Sequence, residues 1–283
     1  MIEFPTDLQI PLAKWVDQLM DWMLAHFGGV FDVFGKVMLF VLVHIDRFFL
    51  WIPWPVVVLC VGALGWKALG KWWHGLILAS LLLVIGNFGY WQLAMMTLSI
   101  VTASVVISLV IGVPMGILMA WSDWVESLLR PLLDAMQTMP SFVYLIPALM
   151  FFGLGKVPAV FATIIYAMPP VIRLTDVGIR QVPKSVVEAA EAFGSSPRQI
   201  LFNVQLPLAR PSIMVGINQT TMMALSMVVV ASMIGARGLG LEVLLSINRI
   251  QVGRGFEAGL SIVFLAIIID RITHAMATKN RIK

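Results

Sequence analysis

Hydrophobic and polar positions divide the chain into an amphipathic beginning and a series of apolar runs separated by short charged or glycine-rich breaks. Between residues 9 and 27, Leu12, Trp15, Val16, Leu19, Met23 and Phe27 recur at helical spacing, while Lys14, Asp17, Gln18 and Asp21 fall off that face. The pattern predicts an amphipathic helix. Residues 30–47 are apolar but interrupted by Asp32, Lys36, Asp46 and Arg47. Two readings stand for them: a helix lying in a membrane interface, which suits the charges, or a tilted helix that crosses. Seven clearer runs follow, at 48–66, 72–88, 91–120, 135–155, 157–172, 211–236 and 256–272. Crossing a hydrocarbon core takes about 20 residues of helix, so each run is a candidate span. Gly86, Asn87 and Gly89 close the second, and Gly112, Pro114 and Gly116 predict a kink in the third.

Composition turns this pattern into a fold class. The chain is 60% hydrophobic and 12% charged, against about 25% charged in an ordinary soluble domain. No Asp, Glu, Lys or Arg occurs from residue 72 to 122, a stretch that suits two membrane helices with a break. The expected architecture is an all-α integral membrane protein with about seven transmembrane helices after an amphipathic N-terminal region. Trp51, Trp54, Trp66, Trp72, Trp73, Trp91 and Trp121 all fall at span ends, the depth where amphipathic rings settle. The acidic start, 1–9, has no basic n-region and does not read as a signal peptide. Lys67, Lys71, Arg130, the basic residues of 173–210, and Lys279, Arg281 and Lys283 come to one side if the C-terminus is cytoplasmic. The positive-inside bias therefore puts the N-terminus outside.

Several function classes drop out. The net charge of +4 comes without a basic stripe interleaved with aromatics, so nucleic acid is not an expected partner. Cys60 is single, which excludes an internal disulfide and a cysteine metal cluster. His26, His44, His74 and His274 are scattered, with no paired-carboxylate or H-E-x-x-H pattern, so no catalytic and no metal residue is assigned. A secondary transporter driven by protons or sodium often carries acidic residues at mid-membrane. Here Glu257 and Asp270 sit near span ends.

The informative stretch is 173–210, which reads as a cytoplasmic loop of two short helices. One runs from Pro183-Lys184 to Phe193, and Gly194 stands where a C′ glycine belongs. Ser196 and Pro197 offer an N-cap and an N1 proline for the second, which stops before Pro207. Glu188-Ala189-Ala190, three residues, Gly194, nine residues, Val204, one residue, then Leu206-Pro207 resembles the EAA loop of ABC import permeases, with Val204 where that loop usually has Ile. The resemblance extends to quaternary-ammonium (glycine betaine/proline betaine) permeases through the run from Arg130 to Pro140, through Asn218-Gln219-Thr220, and through Ala224-Leu225-Ser226-Met227. It implies a type I importer membrane domain over 90–274, with accessory helices at 48–89, the amphipathic region at 1–47 and a cytoplasmic tail at 275–283.

The resemblance also implies partners. Glu188, Ala189, Ala190 and Gly194 would form the coupling helix that docks on an ATPase, with Leu206 and Pro207 closing the loop. The assembly would hold two permeases, two ATPases and an external substrate-binding protein. Gly153-Leu154-Gly155-Lys156 is only a fragment of a phosphate loop. No cofactor is therefore expected on this chain, and ATP with its Mg belongs to the partner ATPase. Phe142 and Tyr144 are candidates for lining the substrate path, or for helix packing. Asn218, Gln219 and Ser226, polar within a span, either line the path or cross-link helices. Gly112 and Gly116 suit close helix packing, within one chain or between two.

Overall fold

The computed structural model describes residues 11–278; the acidic start at 1–9 and the basic residues Lys279, Arg281 and Lys283 lie outside the described residues. Among the described residues every regular element is helical. The first, α1 (Leu12–Trp51), joins the amphipathic segment and residues 30–47 into one helix of 40 residues. No proline interrupts it until Pro53, and Ile52 before that proline is extended (ψ 123°). The run 48–66 is accordingly not one span: its first four residues end α1, and the rest begin α2 (Trp54–Leu69). Met38 and Leu42 bury the later part of α1 against the core. α2 stops at Gly70, which takes φ 79° in a left-handed cap. It forms a hairpin with α3 (Trp72–Asn87), so close that a Cβ on Gly75 would lie 2.3 Å from the carbonyl oxygen of Gly62.

The centre of the bundle is α4 (Trp91–Trp121), α7 (Lys156–Ala167), α8 (Pro169–Arg180) and α11 (Leu206–Ser232). α7 and α8 together make a span of 25 residues, because Pro169 and Pro170 occupy the first turn of α8, where their missing N–H groups cost nothing. That continuity corrects the loop expected at 173–210: helix runs on to Arg180, and only the segment after it projects. α4 meets α8 at two glycines. A Cβ on Gly116 would lie 2.6 Å from the carbonyl oxygen of Ile172, and one on Gly112 would lie 2.5 Å from a methyl of Val171. Pro114 between them lies inside a continuous helix.

Two further expectations change. The run 135–155 is not a straight span. α5 (Asp123–Thr138) is a mostly exposed amphipathic helix, followed by Pro140, a 3-10 turn at Ser141–Tyr144 and α6 (Leu145–Phe152), with a bend of 111°. The short helix after Ser196 does not stop before Pro207 either. α10 (Pro197–Ile200) passes through a π turn at Leu201–Gln205 into α11. The wider turn carries the chain past Pro207, which has no N–H for an α-type bond. Beyond α11, a short apolar helix α12 (Leu239–Asn248) precedes α13 (Val252–Thr278).

Among the described residues five helices can cross a membrane by length and composition, or six with the bent α5–α6 pair taken as one span. α2 and α3 have 16 residues each, about 24 Å of helix against a core of about 30 Å. The seven apolar runs correspond to α2, α3, α4, the α5–α6 pair, α7–α8, α11 and α13, and α1 lies against α4, α6 and α7 beside them.

Candidate functional site: the segment between α8 and α11

Three residues after α8, Pro183 turns the chain outward into α9 (Lys184–Ala192), a helix with no buried residue. Its end is a Schellman motif. Ser195 N–H donates to the Ala190 carbonyl at 3.1 Å, Gly194 N–H donates to the Glu191 carbonyl at 2.8 Å, and Gly194 takes φ 81°. The chain then enters a capping box. The Gln199 amide donates to Ser196 Oγ at 3.4 Å, and the Ser196 amide donates to Gln199 Oε1 at 2.8 Å. Ile200 and Leu201 are buried at the base, Leu201 against Ile179 and Ala209. The result is a corner fixed by its own backbone bonds and held out on a buried foot.

What that corner presents is apolar and of mixed charge, with Lys184, Glu188, Glu191 and Arg198 all exposed. Phe193 is 90% exposed, Phe202 62% and Val186 39%. Glu188 and Ala189 are exposed and Ala190 is half-buried. Large apolar side chains grouped on a rigid corner mark a surface that meets another molecule. Leu206, half-buried, and Pro207, exposed, begin α11 behind it. The expected coupling residues thus occupy one structural unit.

The residues expected within the membrane are not brought together. Phe142 is 54% exposed on the 3-10 turn, while Tyr144 is buried, donates its hydroxyl to the Met136 carbonyl, and meets Tyr166 edge-on with ring centroids 5.9 Å apart. Asn218 cross-links helices: its Nδ2 donates to Asp270 at 2.9 Å and its Oδ1 accepts from Thr273 at 2.9 Å. Gln219 and Ser226 lie two turns apart on the exposed side of α11, and Met233, 53% exposed, continues the line. Ser226 Oγ donates to the Met222 carbonyl at 2.9 Å.

Two charged constellations were missed in the sequence. Asp46 of α1, buried, pairs with Lys156 at the start of α7. Arg180 gathers Asp123, Glu126 and Asp176 at the end of α8. Of these only Asp176 and Arg180, four apart on one helix, leave a local signal. Among the described residues no group of three His, Cys, Asp or Glu side chains is placed to hold a metal.

A helical bundle with a rigid, exposed corner between two of its central spans suits a membrane permease subunit of an ABC importer. Residues 112–282 match the family "Binding-protein-dependent transport system inner membrane component", and the chain belongs to it. Over 96% of its length it is 50% identical to the glycine betaine/carnitine transport permease protein GbuB of Listeria monocytogenes, covering 97% of that protein. It is 47% identical over 96% of its length to the glycine betaine/proline betaine transport system permease protein ProW of Escherichia coli, covering 77% of that protein. Its fold is similar to a chain of the inward-facing MetNI methionine ABC transporter, with a TM-score of 0.56 at 19% identity over 66% of this chain and 92% of that one. The chain is thus a transport subunit rather than an enzyme, a multi-pass inner-membrane component that works with an ATPase and a substrate-binding protein.

Proposed function

We propose that this permease imports small quaternary-ammonium osmolytes of the glycine betaine type, driven by ATP that a separate subunit hydrolyses with its Mg. The observation that carries the coupling half is the exposed α9–Gly194 corner, which offers an ATPase a rigid foothold. Identity of about half the residues to GbuB and ProW supports the substrate half. ATP favours the closed pair of ATPases, the docked corners move with it, and the bundle is biased between inward-open and outward-open states.

The assembly is two copies of this chain, two ATPases and an external binding protein. Gln219 and Ser226 on the exposed side of α11 support a paired arrangement, because polar side chains are costly against lipid and gain from facing a second copy or a wet path. Phe142, exposed on its turn, is our choice for lining that path, with Tyr144 bracing it from behind. The α9 corner and the C-terminus lie in the cytoplasm and the N-terminus outside, on the distribution of Lys and Arg.

The test is uptake of labelled glycine betaine, with choline and carnitine as competitors. The host lacks its own osmolyte transporters and carries this permease with its ATPase and binding protein. ATP-dependent uptake is the expected result. An assembled complex that hydrolyses ATP but takes up none of these solutes would remove the substrate class and leave the permease looking for another small solute.

A further inference from the structure

Charged side chains join α5 to α8 at two points close to the coupling corner. Arg180 is the last residue of α8, and three residues later Pro183 caps α9. Its Nε donates to Asp176 at 2.8 Å, Nη1 to Asp123 at 2.7 Å and Nη2 to the Met119 carbonyl at 2.7 Å, with Glu126 3.0 Å from Nη2. One guanidinium thereby ties the end of α8 to the end of α4 and the first turn of α5. Two turns back, Arg173 bridges Asp134, toward the other end of α5. The order of the pairs makes the two helices antiparallel, with attachments about 10 Å apart along α8.

The outer face of α5 is unpartnered, with Trp124, Leu128 and Leu132 at 73%, 60% and 54% exposed, while a stripe of Val125, Leu129, Leu133 and Met136 along its inner face packs on Met119 and Ile172. Its far end turns through 111° at Met139-Pro140 into the 3-10 turn that carries Phe142. Across that bend the Tyr144 hydroxyl donates to the Met136 carbonyl, so the turn is braced against α5 itself.

We propose that Arg173 and Arg180 are positioning residues that lock α5 to α8, so that a displacement of the coupling corner is carried along α5 to the bend at Pro140 and to Phe142. This rests on the reading that α9 docks on the ATPase. Apolar packing is non-directional and lets a helix slide, whereas two ion pairs make it follow both the shift and the rotation of its neighbour. The Arg173–Asp134 pair is part-exposed, with side chains 32% and 58% accessible, and such pairs add little to folding. Its value lies in rigidity between two sites, one of the ways energetic coupling is carried.

The test uses the whole complex of permease, ATPase and binding protein in vesicles, with uptake and ATP hydrolysis measured together. Arg180 is the poorer target, because its removal leaves Asp176, 3% accessible at its side chain, without its counter-charge. Arg173→Gln and Asp134→Asn are the informative variants. Each is expected to assemble and to hydrolyse ATP within about twofold of the parent, while solute moved per ATP falls about tenfold, inside the usual range for coupling between sites. The charge-exchanged pair Asp134→Arg with Arg173→Asp is expected to recover most of that ratio. Single variants that keep the parental ratio, or lose ATP hydrolysis and uptake in parallel, would overturn the proposal, as would an assembled exchanged pair no better than the singles. Failure of the docking reading shows instead in Gly194→Asp, which would then keep normal uptake and its bound ATPase.

Discussion

Gly194 gives the sharpest separation between what a residue does within the chain and what it does for a partner. Its φ of 81° is one that residues with a Cβ adopt at a cost, about 1–2 kcal/mol for an ordinary side chain and less for Asn or Asp. A Cβ built there meets nothing within 4 Å. Within the permease, Gly194→Ala therefore costs only that conformational term. Gly194→Asp adds a like charge at the negative end of the α9 dipole, about 0.3–1 kcal/mol more. Both costs fall on a short exposed helix whose foot, Ile200 and Leu201, is independently buried, so the bundle should fold in every case. Docking changes the sum. A carboxylate enclosed at an interface without a counter-charge costs several kcal/mol, and about 3 kcal/mol weakens association roughly a hundredfold. Gly194→Ala should then leave measurable uptake, Gly194→Asn should fall between, and Gly194→Asp should abolish it while permease accumulation and detergent melting temperature stay near the parent. The assay is labelled-solute uptake beside co-purification of the ATPase. Normal uptake by Gly194→Asp would refute docking at the corner, and a Gly194→Asp permease that fails to accumulate would refute the claim that the corner is unpacked within the chain.

Three more expectations concern packing and assembly. Gly116→Ala places a methyl 2.6 Å from the Ile172 carbonyl oxygen and should destabilise by about 1–3 kcal/mol. The same change at Gly28, with nothing within 4 Å, should stabilise by about 0.5–1 kcal/mol, and melting shifts of the same sign in detergent would contradict the packing described. Neutralising Lys156 with Met strands Asp46, whose side chain is 12% accessible; the loss should lie toward the lower end of about 3–5 kcal/mol. The double change with Asp46→Asn should restore most of the melting temperature, and a double no better than the single would mean that the charges do not matter to each other. Finally, Ser226→Cys in a Cys60→Ser background should yield a disulfide-linked dimer in oxidised membranes. A chain that remains monomeric on a non-reducing gel, though bound to its ATPase, would remove that face of α11 from the contact between copies.

Legibility followed sequence distance. The α9 corner was visible because each part of it is local: a glycine past a helix end, then Ser196-Pro197 with Gln199 three residues beyond the cap. The apolar runs were visible for the same reason. The Asp46–Lys156 pair and the Arg180–Asp123 pair join residues 110 and 57 apart, and no spacing rule reports such a meeting. Asn218 shows the limit for a single residue. Its type and position said that it must face protein, but only the approach of α13 shows that Asp270 and Thr273 take up its hydrogen bonds.

The prolines misled in both directions, and the reason is physical. By sequence pattern a helix end falls before Pro207, where helix continues, and a straight span runs through Pro140, where it breaks. In the structure, helix passes Pro169 and Pro170 because both sit in a first turn, and passes Pro207 by widening to a π turn just before it. At Pro140 the chain does break, between a helix clamped to α8 and a turn carrying Phe142. What separates these sites is whether the freed carbonyl groups find partners, and in a membrane that requirement is severe because lipid supplies none. In the π turn before Pro207 the Leu206 amide donates to the Leu201 carbonyl, five residues back. The bend at Pro140 meets the requirement in part through Tyr144, whose hydroxyl donates to the Met136 carbonyl. Tyr144→Phe should therefore act at the bend rather than on any substrate contact. Its effect should appear as a lower uptake per ATP without a change in the order in which choline and carnitine compete, and a changed order of competition would return Tyr144 to the wall of the path.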